Sequence, residues 1–123
     1  MTREFINNVF AAVDTRISSR FMEFLTPDVI FVYANQVPVK GLAQLKVVLD
    51  QFNDSVKSMK HDIVGTFQCE DVWAVETKAH YEDRYGRKFS FPACNLITVR
   101  DRHIAVYKIF VDNSIMWQPP VTT

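Results

Sequence analysis

The sequence predicts an α+β fold, a cone in which N-terminal helices pack on one long, curved, mainly antiparallel sheet. Apolar residues recur at helical spacing only in the first half of the chain. From Lys60 onward, four runs of residues alternate as β-strands do, and short charged connections separate them. Polar residues interrupt the apolar, odd-numbered face of several strands, which indicates a lined cavity inside the cone.

Three helices are expected before the strand-rich half, at residues 3–17, 20–25 and 42–52. In the first, Phe5, Val9 and Val13 lie four residues apart and form one apolar face. Pro27 is expected to stop the second helix. The third follows a predicted turn at residues 36–41 and again shows helical spacing of its apolar residues.

Five strands are expected, at residues 29–34, 60–69, 72–82, 88–100 and 103–112. The connection Asp83-Arg-Tyr-Gly86 fits a type I turn followed by a left-handed glycine, and such a three-residue loop determines the register of its hairpin. The predicted pairs are Ala79 with Phe91, Tyr81 with Phe89, and Glu82 with Lys88. Apolar side chains then meet on one face and opposite charges on the other, which supports this register.

The composition fits one domain, residues 1–123, because 48% of the chain is hydrophobic and 13% is aromatic. Fourteen basic residues balance fourteen acidic ones, so no nucleic-acid partner is expected, and no long apolar run or basic cluster indicates a membrane. The first residues are charged where a secretory signal is apolar. Cys69 and Cys94 lack metal or redox spacing and are expected as small core residues of a reduced, cytoplasmic protein.

Two segments carry a resemblance to a known family. The first is Pro27-Asp-Val-Ile-Phe-Val-Tyr33, with Gly41 opening a helix soon after it. The second runs from Asn95 to Asp112 as an apolar strand, a charged turn and a strand ending in Asp. Both resemble the nuclear transport factor 2-like superfamily, whose members include SnoaL-like polyketide cyclases, ketosteroid isomerase, limonene epoxide hydrolase and scytalone dehydratase. The resemblance implies a cystatin-like cone with a pocket and a homodimer formed through the sheet, but no single reaction.

Two of these relatives use residues that the chain replaces. Ketosteroid isomerases have one Asp on the first strand and another on the fourth long strand, where this chain has Tyr33 or Asn35, and Asn95. Limonene epoxide hydrolase has a Tyr-x-Asn pair, which Tyr33 and Asn35 match, but its water-activating Asp aligns with Ile109.

Among these proteins, scytalone dehydratase is the one that the chain resembles most in polar residues. Its His-x-Ile-x-Gly pattern resembles the segment His61-Asp-Ile-Val-Gly65, and its Ala-Asn-Leu resembles Ala93-Cys-Asn-Leu96 with one residue inserted. The resemblance implies that His80 is a second catalytic His and that Asp14 supports it. The predicted hairpin register instead places His80 on the even-numbered, solvent face, so a bulge would be needed to turn it inward.

The expected catalytic residues are therefore His61, Tyr33, Asn95, His80 and Asp14. Imidazole can move protons near neutral pH, so His61 is expected to be the acid–base group. Asn95 and Tyr33 are expected to donate hydrogen bonds to a substrate oxygen. The expected substrate-binding residues are Asn35, Phe91, Tyr107, Ile109 and Trp117.

Each polar candidate also has a structural explanation. His61 can be a half-exposed residue at the start of a strand, and Asn95 can be satisfied by neighbouring backbone. The Tyr33 hydroxyl can simply reach the rim of the core, and Asn35 is a common turn former.

The expected function is that of a cofactor-independent lyase or isomerase, acting by dehydration, isomerisation or cyclisation through an enolate. Its substrate is expected to be a hydrophobic, carbonyl-bearing small molecule. The alternative is a non-catalytic domain of the same fold that binds a small molecule or another protein. Three scattered His residues and three Gly residues provide neither a metal site nor a phosphate loop, so no metal or cofactor is expected.

Overall fold

The computed structural model describes residues 2–121 and contains three α-helices, six strands and a short 3-10 helix. The helices are α1 (Arg3–Asp14), α2 (Ser18–Met22) and α3 (Leu42–Ser55), and the 3-10 helix is Ser114–Trp117. The strands are β1 (Leu25–Tyr33), β2 (Val39–Lys40), β3 (Val56–Cys69), β4 (Val72–Asp83), β5 (Lys88–Arg100) and β6 (His103–Val111). The α+β class expected from the sequence is confirmed.

All six strands belong to one sheet, in the order β2-β1-β6-β5-β4-β3. Only the β1–β6 pairing is parallel, so the sheet is mainly antiparallel as predicted. The register predicted from the Asp83–Gly86 turn is confirmed, with Ala79 opposite Phe91, Tyr81 opposite Phe89 and Glu82 opposite Lys88. Gly86 has a φ of 81°, the left-handed conformation that this turn requires.

The helix boundaries differ from those predicted. Helix α1 ends at Asp14 rather than at Ile17, because Arg16 has a left-handed φ of 59° and Ile17 is 47% exposed. The Arg16 guanidinium donates to the carbonyl oxygen of Val56 at 2.8 Å and so ties this turn to the start of β3. The predicted second helix is displaced toward the N-terminus, since Leu25 already belongs to β1.

Pro27 lies inside β1, so the prediction that it stops the second helix is wrong. Its missing N–H is tolerated because the β1–β6 register is interrupted between Leu25 and Ile30. The predicted turn at 36–41 includes the short strand β2, and β3 begins at Val56, four residues earlier than expected.

The apolar core lies between the helices and the odd-numbered face of the sheet, in two clusters. The larger cluster joins α1, α2 and α3 to β1, β4, β5 and β6, and the smaller joins β3, β4 and β5 to the 3-10 helix. Leu45 is the buried residue that anchors α3, and Ile6, Val9 and Phe10 anchor α1. No described helix is long and apolar enough to cross a membrane.

Both cysteines are exposed, so their predicted place in the core is wrong. A bulge between Ile63 and Gly65 shifts β3 by one residue, after which Phe67 pairs with Ala74 and Cys69 with Val72. Because side chains alternate between the faces of a strand, the shift turns the odd residues beyond the bulge outward. Cys94 lies on the even-numbered face, which is also the outer one.

Candidate functional site

A cavity of about 990 Å³ lies between the helices and the inner face of the sheet. Aromatic and aliphatic side chains make up most of its wall, including Phe10, Phe21, Phe31, Leu49, Phe52, Met59 and Ile109. Its rim contains exposed residues of the β1–β2 loop, the end of α3 and the segment after β6. A cavity of this size, apolar with a few polar groups, is typical of small-molecule sites.

Asp14 and His61 form a hydrogen-bonded pair at the cavity wall. The Asp14 Oδ1 atom lies 2.6 Å from His61 Nδ1, and Oδ2 accepts the backbone N–H of His61 at 3.0 Å. Asp14 is available for both bonds because α1 ends at this residue, beside the inner face of β3. Both side chains are largely buried, at 15% and 10% exposure.

The geometry of this pair determines the tautomer of His61. A carboxylate only accepts hydrogen bonds, so the neutral imidazole has its proton on Nδ1 and its lone pair on Nε2 in this arrangement. The Nε2 atom lies 3.5 Å from the Tyr81 hydroxyl, a long contact, and His61 lines the cavity. A carboxylate that holds imidazole in this way also stabilises imidazolium when the ring takes up a proton. The pair can therefore act as a general base.

Two tyrosine hydroxyls share the cavity with this base, and that of Tyr81 is the one in contact with it. Tyr33 accepts a hydrogen bond from Asn113 Nδ2 at 2.5 Å, and both tyrosines line the cavity. Burial raises the pKa of Tyr33 to about 12, although the Tyr81 hydroxyl lowers it in part. Burial, followed by the neighbouring Tyr33, also raises the pKa of Tyr81. Both phenols therefore keep their protons at neutral pH and can donate to a ligand oxygen.

Asn95 lines the cavity, but its amide protons are already used. Its Nδ2 atom donates to the Val75 carbonyl oxygen and to Thr77 Oγ1, both at 3.1 Å. The carbonyl of Val75 can only accept, which determines the orientation of the amide. The Oδ1 atom accepts a long contact of 3.4 Å from the hydroxyl of Tyr107. Asn95 therefore has no amide proton left for the expected hydrogen bond to a substrate. Its structural explanation, an amide that neighbouring groups of the protein satisfy, applies instead.

His80 lies on the outer face of the sheet, as the predicted hairpin register requires. Its Nε2 atom lies 2.8 Å from Asp62 Oδ2, and its Nδ1 atom lies 2.7 Å from Ser90 Oγ. The β3 bulge lies beyond Ile63 and does not change the face of β4. The expected pairing of Asp14 with His80 is therefore wrong, and Asp14 holds His61 instead.

Four of the five expected substrate-binding residues line the cavity: Asn35, Tyr107, Ile109 and Trp117. The exception is Phe91, which is buried in the smaller core cluster with its ring 6.2 Å from that of Tyr81 and 5.9 Å from that of Phe89. Burial, and then the charge of Asp14, raises the pKa of Tyr107, so its hydroxyl is also a neutral group.

Sequence reasoning missed Tyr81, Thr77 and Asn113. The predicted register already placed Tyr81 and Thr77 on the inner face, and that signal could have identified them as lining residues. Asn113 follows the last strand, where no periodicity indicates the direction of a side chain. Only the folded chain brings Asn113 to Tyr33, eighty residues away.

The segment after β6 is tied to the β4–β5 turn beside the mouth of the cavity. Arg87 Nη2 donates to the Gln118 carbonyl oxygen at 2.8 Å, and Arg87 Nε bonds to Asp83 at 2.8 Å. Burial opposes ionisation of Asp83, but hydrogen bonds from Arg87 and the Tyr85 N–H outweigh it and lower its pKa. The Trp117 ring, 5.9 Å from Phe52, is held at the mouth by these bonds.

The fold is that of an α+β cone, and its cavity has the size and lining that are typical of small-molecule sites. The family model described as SnoaL-like domain matches residues 6–107, which is most of the sequence. The chain therefore belongs to the SnoaL-like family, and the expected resemblance to the nuclear transport factor 2-like superfamily is confirmed.

Solved structures show the same fold at low sequence identity. A protein of ketosteroid isomerase-like fold from Catenulispora acidiphila, in complex with trimethylamine, has a TM-score of 0.84 at 16% identity, covering 93% of this chain and 89% of its own. TerC, co-crystallised with polyporic acid, has a TM-score of 0.81 at 17% identity, with coverage of 91% and 92%. A limonene epoxide hydrolase-like enzyme from Mycobacterium tuberculosis has a TM-score of 0.77 at 13% identity, with coverage of 93% and 84%. No protein of curated function matches the sequence.

Proposed function

We propose that this protein is a cofactor-independent lyase or isomerase that acts on a hydrophobic, carbonyl-bearing small molecule through an enolate. The observation that carries the proposal is the Asp14–His61 pair, whose Nε2 lone pair lies beside an apolar cavity. The neutral phenol of Tyr81, 3.5 Å from that atom, and that of Tyr33, which lines the same cavity, provide the complementary donors. Relatives of this fold that were solved with trimethylamine and with polyporic acid support a small-molecule ligand.

In the proposed reaction, His61 Nε2 removes a proton from the carbon next to the substrate carbonyl. The electron pair of that C–H bond forms a C=C bond, and the carbonyl oxygen becomes the enolate oxygen. Hydrogen bonds from Tyr33 and Tyr81 stabilise the charge that develops there, and Asp14 stabilises the imidazolium. Where the enolate is conjugated with a further C=C bond, return of the proton from the imidazolium to the far carbon of that bond re-forms the carbonyl and completes an isomerisation. Where a hydroxyl group lies β to the carbonyl, transfer of the proton to it releases water, and the electron pair of the enolate forms the C=C bond of the product. In a cyclisation, the enolate carbon attacks a second carbonyl of the same molecule, the first carbonyl re-forms, and the oxygen of the second takes the proton from the imidazolium.

Deuterium exchange tests this proposal without the natural substrate. The probe is 2-tetralone, an uncharged, aromatic ketone with exchangeable protons next to its carbonyl. In D₂O, we expect the wild-type protein to accelerate exchange, and His61→Gln to reduce that acceleration by at least about 100-fold, because the base is lost. The measurement is the loss of the corresponding proton signals in NMR spectra.

His80→Gln is the matched control, since it makes the same change in a histidine outside the cavity, and it should exchange at the wild-type rate. An equal loss in both variants would contradict the assignment of His61 as the base. Binding of 2-tetralone to the wild-type protein with no accelerated exchange would instead favour the non-catalytic binding function.

We also propose that the protein is a cytoplasmic homodimer joined through the outer face of the sheet. Phe67 and Phe110 are exposed on this face, at 66% and 57%, with Leu96 and Ala74 in the same row as Phe67. Apolar side chains clustered on an exposed sheet face favour association. Two free, exposed thiols are consistent with a reducing compartment.

Replacement of Phe67 by Ser is expected to weaken such a dimer by at least about tenfold, because an aromatic contact is lost. Sedimentation velocity over a range of protein concentrations measures the change. Tyr85→Ser alters an equally exposed aromatic residue on the β4–β5 turn and should have no effect. A wild-type protein that stays monomeric at all concentrations would refute the dimer.

A further inference from the structure

The cavity lacks positive charge. The chain contains fourteen lysine and arginine residues, all within the described part, and none of them lines the cavity. The acidic groups near it are Asp14, behind His61, and Asp112 at the rim. Apart from the imidazole of His61, no side chain that lines the cavity can carry a positive charge.

The cationic side chains near the site already form contacts with other groups of the protein. Lys60 lies 3.9 Å from Asp14 Oδ2 with its side chain 70% exposed on the outside of the wall. Arg16 donates to the Val56 carbonyl oxygen at 2.8 Å, and Arg87 is held by Asp83 and the Gln118 carbonyl. None of these can pair with a bound anion unless existing contacts break.

Few neutral donors lie inside the cavity, because the amides of Asn35, Gln36 and Gln51 are at exposed positions of its rim. Both amide protons of Asn95 bond to the protein, and the amide of Asn113 donates to Tyr33. The hydroxyls of Tyr33, Tyr81 and Thr77 remain, and the proposed reaction requires the two tyrosines at the carbonyl oxygen. A buried carboxylate or phosphate would therefore lose its hydration with little compensation, which is strongly unfavourable.

A cationic ligand is also disfavoured. Both Asp14 oxygens already accept hydrogen bonds from His61, so no carboxylate is free inside the cavity. A second positive charge beside His61 would oppose its protonation and hence its action as a base.

We propose that the part of the substrate enclosed by this cavity is uncharged: a ketone, ester or lactone without carboxylate, phosphate or ammonium groups. The inference rests on the proposed function for its placement of the substrate in the cavity. It implies that a precursor with a carboxylate must be esterified or lactonised before it reaches this protein, or must bind with that carboxylate outside the mouth of the cavity. Charge, rather than size, is then the property that excludes ligands.

Ligands with one common ring frame test this inference. The probes are 2-tetralol, 1,2,3,4-tetrahydro-2-naphthoate, the methyl ester of that acid, and 2-aminotetralin. At about pH 8, where the acid is ionised, we expect it to bind at least about 50-fold more weakly than its methyl ester. The alcohol and the ester should bind within about threefold of each other, and the amine at least about tenfold more weakly. Isothermal titration calorimetry measures the four dissociation constants.

A charge added to the wall should reverse the preference. Gln51 lines the cavity at an exposed position of α3, so an arginine there is tolerated and can reach a bound anion. Gln51→Arg should improve acid binding by at least about tenfold. Gln44→Arg makes the same change two turns earlier on α3, outside the cavity lining, and should leave acid binding unchanged.

Equal binding of the acid and its ester by the wild-type protein would overturn the inference, as would equal gains in the two arginine variants. Failure of all four probes to bind would also contradict it. If the neutral probes bind selectively but 2-tetralone shows no accelerated exchange, the proposed reaction fails while the inference on ligand charge stands.

Discussion

Asp14→Asn is expected to reduce the acceleration of 2-tetralone exchange by about 100-fold to 10,000-fold, while binding of the ketone changes by less than about threefold. Asparagine has the shape of aspartate but no charge, so the imidazolium formed during the reaction loses its counter-ion. Its amide can also donate to Nδ1, which would move the proton of His61 to Nε2 and remove the basic lone pair from the cavity. NMR exchange rates and calorimetry on the same preparation separate these two effects.

Asp62→Asn is the matched control for this prediction. Asp62 also forms a short contact with a histidine, His80, but on the outer face of the sheet. The exchange rate of this variant should equal that of the wild-type protein. A rate unaffected by Asp14→Asn, in a protein that unfolds at the wild-type temperature, would show that the Asp14 carboxylate has no part in the reaction.

Leu45→Ala is expected to lower the free energy of unfolding by about 2–5 kcal/mol. Leu45 is fully buried and attaches α3, one wall of the cavity, to the rest of the core. The substitution removes apolar contacts and leaves a void that the rigid sheet cannot fill. Urea denaturation followed by circular dichroism measures the change.

Val47→Ala provides the comparison on the same helix. Val47 is 58% exposed, and alanine has the higher helix propensity, so stability should change by less than about 0.5 kcal/mol. Similar losses for both variants would mean that α3 is held by its helix propensity rather than by the buried contact of Leu45.

Local patterns in the sequence predicted a large part of the fold. The turn Asp83–Gly86 alone determined the register of the β4–β5 hairpin, because a three-residue loop with a left-handed glycine allows only one pairing. That register also placed His80 outside, correctly and against the family resemblance. No local pattern predicts the β3 bulge, since it depends on how β3 follows β4 around the curved sheet, and Cys69 was misplaced for that reason.

The sequence predicted several residues of the candidate site but not which of them form hydrogen bonds with each other. The patterns identified His61, Tyr33 and Asn95 as polar groups on an inner face, and each lines the cavity. The patterns could not show that the Asn95 amide donates to the Val75 carbonyl oxygen and to Thr77, because a hydrogen bond depends on the distances between strands.

The sequence by itself determined the class of fold, most of the strands and the presence of polar groups facing an apolar interior, since all of these follow from the spacing of residue types along one chain. Only the tertiary structure decided that Asp14 meets His61, forty-seven residues away, and that Asn113 meets Tyr33. Such pairings depend on where a helix ends and how far a sheet bends, and neither is encoded in a local repeat. The charge of the cavity is decided in the same way. Its wall is formed by residues from every helix and strand, and none of these residues is a lysine or an arginine.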